Sequence, residues 1–250
     1  MQKTFERAEV VFITMPTFCM DELAGEIEPY VRKGMKIGFI SGTGGGESVF
    51  KECEAKGAII FGMQRVPSVA RLIEYGKTEK AIGYRDRLFV ASLPDSQVFS
   101  CAELIYGLFD IPCNALPNYL NLTLTPSNPI LHTTRLRVLF KHYKEGVVYD
   151  EGPLFYEDWN DETSELLLAC DKEVQNLCRN LKLFDLSGVK SLMVHYESYS
   201  VEEVTRKIAG IPGFRGLISP MIKVKDGYIS DINARYFTAD FLTGLQYWFR

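Results

Sequence analysis

The chain has 250 residues, 46% hydrophobic and 24% charged, enough apolar material for one large domain or two small ones. A net charge of -4 and a pI near 5.5 give no basic field for a phosphate backbone, and no nucleic-acid module signature stands among the lysines and arginines, so nucleic acid is excluded as a partner. The charged start MQKTFERAE is no signal peptide and no apolar run is long enough for a bilayer, so the expectation is a cytoplasmic protein without a membrane partner.

Glu9 to Thr14 (EVVFIT) reads as a short strand ending at Met15-Pro16, and Asp21 to Arg32 carries Leu23, Ile27, Tyr30 and Val31 at helical spacing. The pattern repeats: Lys36 to Ser41 as a strand, a glycine loop, a helix through Val49 and Phe50 to Lys56, and Ala58 to Gly62 as a third strand. Such alternation predicts an α/β fold with a mostly parallel sheet. From Ala70 to Ser92, glycine-centred turns between β-rich runs predict a hairpin or meander. Asp95 to Phe109 returns to helix, with Asp95 or Ser96 as its cap.

The loop Ser41-Gly42-Thr43-Gly44-Gly45-Gly46-Glu47 follows a strand and opens a helix, as a dinucleotide fingerprint would, but Glu47 takes the third glycine position and no acidic residue ends the next strand. It therefore fails as a primary pyrophosphate cradle. Glycine content alone fits a flexible loop equally well. Loops at the carboxyl ends of parallel strands line the crevice where such sheets bind small molecules, which makes Met15, Pro16, Thr17, Gly42, Thr43 and Gly44 the candidate contacts there.

After Pro112 and Pro117 the texture becomes helical, with amphipathic stretches at Ile130 to Tyr143 and Glu162 to Leu181, and strand signals fade. The expected division is an α/β domain over 1–112 and a helical domain over 113–250. Asp161 or Thr163 is the expected cap of the second stretch. The six cysteines, Cys19, Cys53, Cys101, Cys113, Cys170 and Cys178, never fall in a CxxC or other metal spacing, so neither a disulfide framework nor a metal site is expected. The sequon at Asn121-Leu122-Thr123 reads as chance in an unsecreted chain.

In LTPSNPILHTTRLRVLF, Pro126 and Pro129 forbid helix before Ile130, Asn128 can cap the turn that follows, and His132 enters the first helical turn with Arg135 one turn on. A lone His near a helix start is often structural. A second cluster, Asp231 to Asp240, sets Arg235 five residues before Asp240 around an aromatic pair. These two charges could form a surface salt bridge; with His132 they also make a carboxylate binder and a base-orienting acid.

PSNPxxHxxR at Pro126 to Arg135, IPGFRGLISPM at Ile211 to Met221 and RYFTxDF at Arg235 to Phe241 together resemble the helical catalytic domain of octopine/nopaline-type opine dehydrogenases. The segment EVVFITMPTF and its following helix are similar to the latter part of that family's Rossmann domain. The resemblance implies a partial Rossmann-like NAD(P)-binding domain followed by an all-α catalytic domain, NAD or NADP as cofactor, and reduction of the imine of an amino acid and a 2-oxo acid. It implies His132 as acid/base, Asp240 as its partner, Arg235 with Asn128 on the substrate, and a cleft where Pro16, Gly42 and Gly44 face His132. That family opens with a GxGxxG turn and runs on past RYFTxDF, whereas here nothing precedes the strand at Glu9 and Trp248-Phe249-Arg250 end inside what reads as a helix. Weak dinucleotide binding by these 250 residues alone, and self-association as a homodimer, are the expected consequences. Two other readings stay open: another two-domain NAD(P) reductase of 2-dehydropantoate or hydroxy-acid type, and a truncated, non-catalytic binding or interaction module.

Overall fold

The computed structural model describes residues 2–42, 45–125 and 127–244, and the chain divides into two compact units, Met1–Pro126 with Leu181–Val189, and Ser127–Asn180 with Lys190–Arg250. Thr43, Gly44, Pro126 and the expected terminal helix at Trp248-Phe249-Arg250 lie outside the described residues.

In the first unit, helix α1 (Gln2–Phe5) precedes strand β1 (Val10–Ile13), and helix α2 (Met20–Ile27) precedes β2 (Lys36–Ile40). Short helices α3 (Gly46–Val49) and α4 (Lys51–Ala55) lead to β3 (Ile59–Met63); β4 (Ser68–Glu74) and β5 (Thr78–Tyr84) form a separate antiparallel pair. Next come β6 (Leu88–Leu93), α5 (Val98–Phe109), β7 (Cys113–Ala115) and α6 (Leu120–Thr123). The main sheet has five strands in the order β1-β2-β3-β6-β7, parallel except where β6 runs against β3. The mostly parallel α/β sheet expected from the alternating pattern is therefore what forms, and the expected hairpin is β4–β5.

Period-two alternation sends strand residues to opposite faces. Ile37, Phe39 and Ile60 join one buried cluster with Phe50, Tyr119 and Leu122, while Phe61 and Met63 join the other with Val90, Cys101 and Ile105. Gly38 is paired with Phe61 in the ladder, and a Cβ there would lie 2.2 Å from the Phe61 ring, so only glycine leaves room for it. Gly62 is held by backbone: its Cβ would fall 2.7 Å from Gly42 Cα and 2.8 Å from the Tyr119 hydroxyl.

Several local expectations give way to backbone chemistry. The helix expected to Arg32 ends as α at Ile27 and continues as a 3-10 turn over Glu28–Tyr30, because Pro29 has no N–H for the ladder. Asp95 and Ser96 lie in a 3-10 turn, Asp95–Gln97, and no side chain caps α5. The first unit also runs past residue 112: β7 pairs with β6, and Leu116, Tyr119 and Leu122 enter the core. Residues 181–189 are bound into it by polar contacts. Asn118 and Asn121 each donate to the Asp185 carbonyl at 2.9 Å, Gly188 N donates to Asn121 Oδ1 at 2.9 Å, and Gln64 Nε2 donates to the Gly188 carbonyl at 3.0 Å.

The second unit holds α7 (Ser127–Leu139), α8 (Asp161–Asn180), α9 (Leu192–His195), α10 (Val201–Ala209), the hairpin β8 (Met221–Val224) and β9 (Gly227–Ser230), and a π-helix over Tyr236–Gly244. α8 packs on α7 and α10, and the π-helix packs on α7. α7 starts at Ser127 and not at Ile130, with Pro129 in the first turn, where an N–H would have no intrahelical acceptor. Asn128 is accordingly inside the helix and does not cap it. Asn160 takes the place expected for Asp161 or Thr163 at the head of α8, its Oδ1 accepting from Thr163 N at 3.0 Å. The β8–β9 hairpin escapes the alternation pattern because its strands are only four residues each, although the turn at Lys225-Asp226 before Gly227 is a hairpin signal. No helix among the described residues is long and apolar enough to cross a membrane.

Glu47, on α3, has one carboxyl oxygen bonded to the Thr123 hydroxyl and the other buried without a hydrogen-bond partner among the described residues. Burial raises its pKa above the ordinary 4.5, and burial, then the charge of Glu47, pushes the neighbouring Tyr119 phenol well up. A carboxyl whose pKa is higher folded than unfolded gives stability that is complete below about 4.5 and is lost as pH rises through the folded value. Glu47→Gln removes this titration. The thermal midpoint of the variant should fall less than that of the unsubstituted protein between pH 4.5 and pH 8. Parallel midpoint curves over that range would contradict the assignment.

Candidate active site

His132 stands one turn into α7 and its residue is 7% exposed, so both ring nitrogens need protein partners. They have them. Nδ1 lies 2.8 Å from Asp240 Oδ2 on the π-helix, and Nε2 lies 2.8 Å from the Tyr156 hydroxyl. An ionised carboxylate only accepts, so with Asp240 charged Nδ1 carries the hydrogen, and the neutral ring then accepts the Tyr156 O–H at Nε2. Three aromatic rings meet the imidazole edge to face: Tyr236 at 4.8 Å, Phe155 at 5.4 Å and Tyr156 at 6.2 Å between centroids. Tyr236 and Asp240 belong to the same π-helix, a wide winding that often accompanies functional sites.

The loop carrying Phe155 and Tyr156 is held from α7 as well. Arg135, 2% exposed, donates from Nε to the Phe155 carbonyl at 2.9 Å and from Nη2 to the Leu154 carbonyl at 3.2 Å, with its guanidinium 5.8 Å from the Trp159 ring centre. Burial lowers its pKa to about 10, an effect that the negative charge of Asp158 opposes. Phe214, from the IPGFRG segment, stacks on Tyr156 at 4.2 Å.

The residues expected from sequence divide clearly. His132 and Asp240, 108 positions apart, are hydrogen bonded. Arg235 directly precedes the π-helix, is exposed, and makes no ion pair with Asp231 or Asp240 among the described residues, so the surface salt bridge does not form. Asp231 instead accepts from Asn233 N at 3.1 Å. Asn128 is exposed on α7, one turn before His132. In the first unit, half-exposed Met15 and its neighbours Pro16 and Thr17 follow β1, and buried Gly42 follows β2, at the carboxyl ends of adjacent parallel strands. The contact with Gly62 already accounts for the glycine at 42. Thr43 and Gly44 lie outside the described residues. Among the described residues no cluster of His, Cys, Asp or Glu could hold a metal, and none of the six cysteines is in a disulfide. Tyr156 is the site residue that the sequence does not reveal: YEDW carries no periodicity or spacing that ties it to a His 24 positions earlier.

Residues 115–250 match the family described as NAD/NADP octopine/nopaline dehydrogenase, alpha-helical domain. The uncharacterized protein y4xO of Sinorhizobium fredii is 31% identical over 235 residues, covering 83% of this chain and 61% of that protein. Octopine dehydrogenase of Pecten maximus is 23% identical over 257 residues, 95% of this chain and 63% of that enzyme. A solved octopine dehydrogenase structure with NADH and L-arginine superposes with a TM-score of 0.81 at 21% identity, covering 98% of this chain and 64% of the other, a likeness of fold. The chain thus spans a little under two thirds of the length of these relatives. With more than half of its residues matched by the family's helical domain, the chain belongs to the octopine/nopaline dehydrogenase family of oxidoreductases.

Proposed function

We propose that this protein is an opine-type oxidoreductase that uses NADH or NADPH to reduce the imine formed between an amino acid and a 2-oxo acid. The observation that carries this reading is the Asp240–His132–Tyr156 line, 2.8 Å at each step around a buried imidazole. Exposed Arg235 adds to it, a guanidinium at the head of the π-helix that bears Asp240. A histidine held by a carboxylate at one nitrogen is built to give and take a proton at the other. Two solved structures of relatives support a paired substrate: octopine dehydrogenase with NADH and L-arginine, and octopine dehydrogenase with NADH and pyruvate.

In this reading Arg235 grips a substrate carboxylate through the paired N–H groups of its guanidinium, with Asn128 as a further polar contact. Met15, Pro16, Thr17 and Gly42, at the ends of β1 and β2, would hold the dinucleotide, as would Thr43 and Gly44 by their place in the sequence. The cofactor, when bound, supplies the hydride. His132 supplies the proton, and Asp240 keeps the ring in the Nδ1–H tautomer and oriented.

His132→Asn keeps a polar side chain but removes the imidazole that gives and takes the proton, so in the full-length protein turnover should drop by about a hundredfold or more, with a smaller loss for Asp240→Asn. Unchanged turnover in the His132 variant would move the chemistry elsewhere. Arg235→Lys loses the planar fork, so the KM for the carboxylate substrate should rise at least about tenfold with folding little changed. Normal constants for both substrates would remove Arg235 from the site.

A further inference from the structure

His132 has a second partner whose part in the chemistry the sequence motifs do not mark. We propose that Tyr156 is a positioning residue for His132, holding Nε2 in both of its protonation states; this rests on the proposed acid/base role of His132. The hydroxyl lies 2.8 Å from Nε2, and the ring's other nitrogen is taken by Asp240. While the imidazole is neutral with its hydrogen on Nδ1, Tyr156 donates to the Nε2 lone pair. Once Nε2 carries a proton, the hydroxyl turns and accepts from it; the substrate nitrogen then takes that proton from Nε2 in place of the hydrogen bond, and the hydroxyl donates to the emptied lone pair again. A phenol can do both, because it holds a donor and lone pairs on one rotatable group. No proton is gained or lost by Tyr156 in this exchange of roles.

The surroundings favour a fixed geometry. Tyr156 is 5% exposed and stacked with Phe214, 4.2 Å away at 22°, and with Trp159, 6.4 Å away at 10°. Its backbone neighbours are pinned by Arg135, which takes the carbonyls of Leu154 and Phe155, while Asp158 accepts from Leu154 N at 2.7 Å. Asp240 and Tyr236 on the π-helix and Tyr156 on the loop meet the imidazole, while Arg135 and Asp158 bond to the backbone of that loop. Asp240 and Tyr156 each hydrogen bond to the ring. With the hydroxyl removed, Nε2 would face an apolar ring in a buried place, where an unpartnered polar atom is costly.

Two measurements on Tyr156→Phe test this. The protein has three histidines, so ¹⁵N-labelled imidazole resonances can be assigned with His132→Asn as the blank. In Tyr156→Phe the Nε2 resonance of His132 should move toward the value of an unbonded ring nitrogen, with Nδ1 little changed; an unmoved Nε2 would overturn the proposal. In steady-state kinetics of the full-length protein, Tyr156→Phe should lower turnover by about tenfold with KM nearly constant, and that loss should vanish in a His132→Asn background, since Tyr156 acts only through His132. Independent, multiplying losses would overturn it. Should Tyr156→Phe fail to fold, 3-fluorotyrosine at 156 keeps the ring and strengthens the donor, and Nε2 should move the opposite way; no movement again overturns it. Full turnover in His132→Asn would instead defeat the proposed function, while the resonance shift still decides whether Tyr156 holds Nε2.

Discussion

A buried imidazole has to satisfy two nitrogens at once, and in this protein that requirement ties together three stretches of chain. Asp240 answers one nitrogen and Tyr156 the other, at separations of 108 and 24 residues along the chain. Closing such loops costs entropy that the hydrogen bonds alone do not recover. The remainder comes from packing: aromatic rings meet the imidazole edge-on, and Phe155 stacks on Tyr236 at 4.3 Å, joining the loop to the π-helix. The His132–Asp240 pair therefore exists because an aromatic core is assembled around it.

Arg135 shows how polar groups can serve that core. The guanidinium of a residue that is 2% exposed would be a liability without acceptors, and it has two backbone carbonyls and an indole face. It converts the irregular loop after Gly152 into a fixed wall for His132. Arg235, later in the same unit, is the opposite case: exposed, with neither nearby aspartate as an ion-pair partner among the described residues. One arginine serves the architecture and the other stays at the surface.

Much of this is legible in the sequence, and the limits have physical reasons. The parallel strands can be read because apolar β-branched runs alternate with helical spacing. The pairing of His132 with Asp240 can be read because each sits in a short local motif, even though the two motifs meet only on folding. Tyr156 cannot be read, since its partner is found only by folding a loop back on α7. The membership of residues 181–189 in the first unit is equally hidden, resting on Asn118, Asn121 and Gln64 reaching backbone groups far along the chain. The start of α7 differs from the expected one because Pro129 counts as a breaker only inside a helix, and the first turn accepts proline without losing a hydrogen bond.

In the proposed function this site reduces an imine assembled from two carboxylate-bearing substrates and not a carbonyl compound by itself. The most direct measurement is NADH or NADPH oxidation by the full-length protein against a matrix of amino acids and 2-oxo acids, each alone and in pairs, with the product identified by mass. Oxidation is expected only when both partners are present, with a product whose mass is that of the secondary amine joining them. Equal rates with an oxo acid alone, yielding the hydroxy acid, would contradict that function.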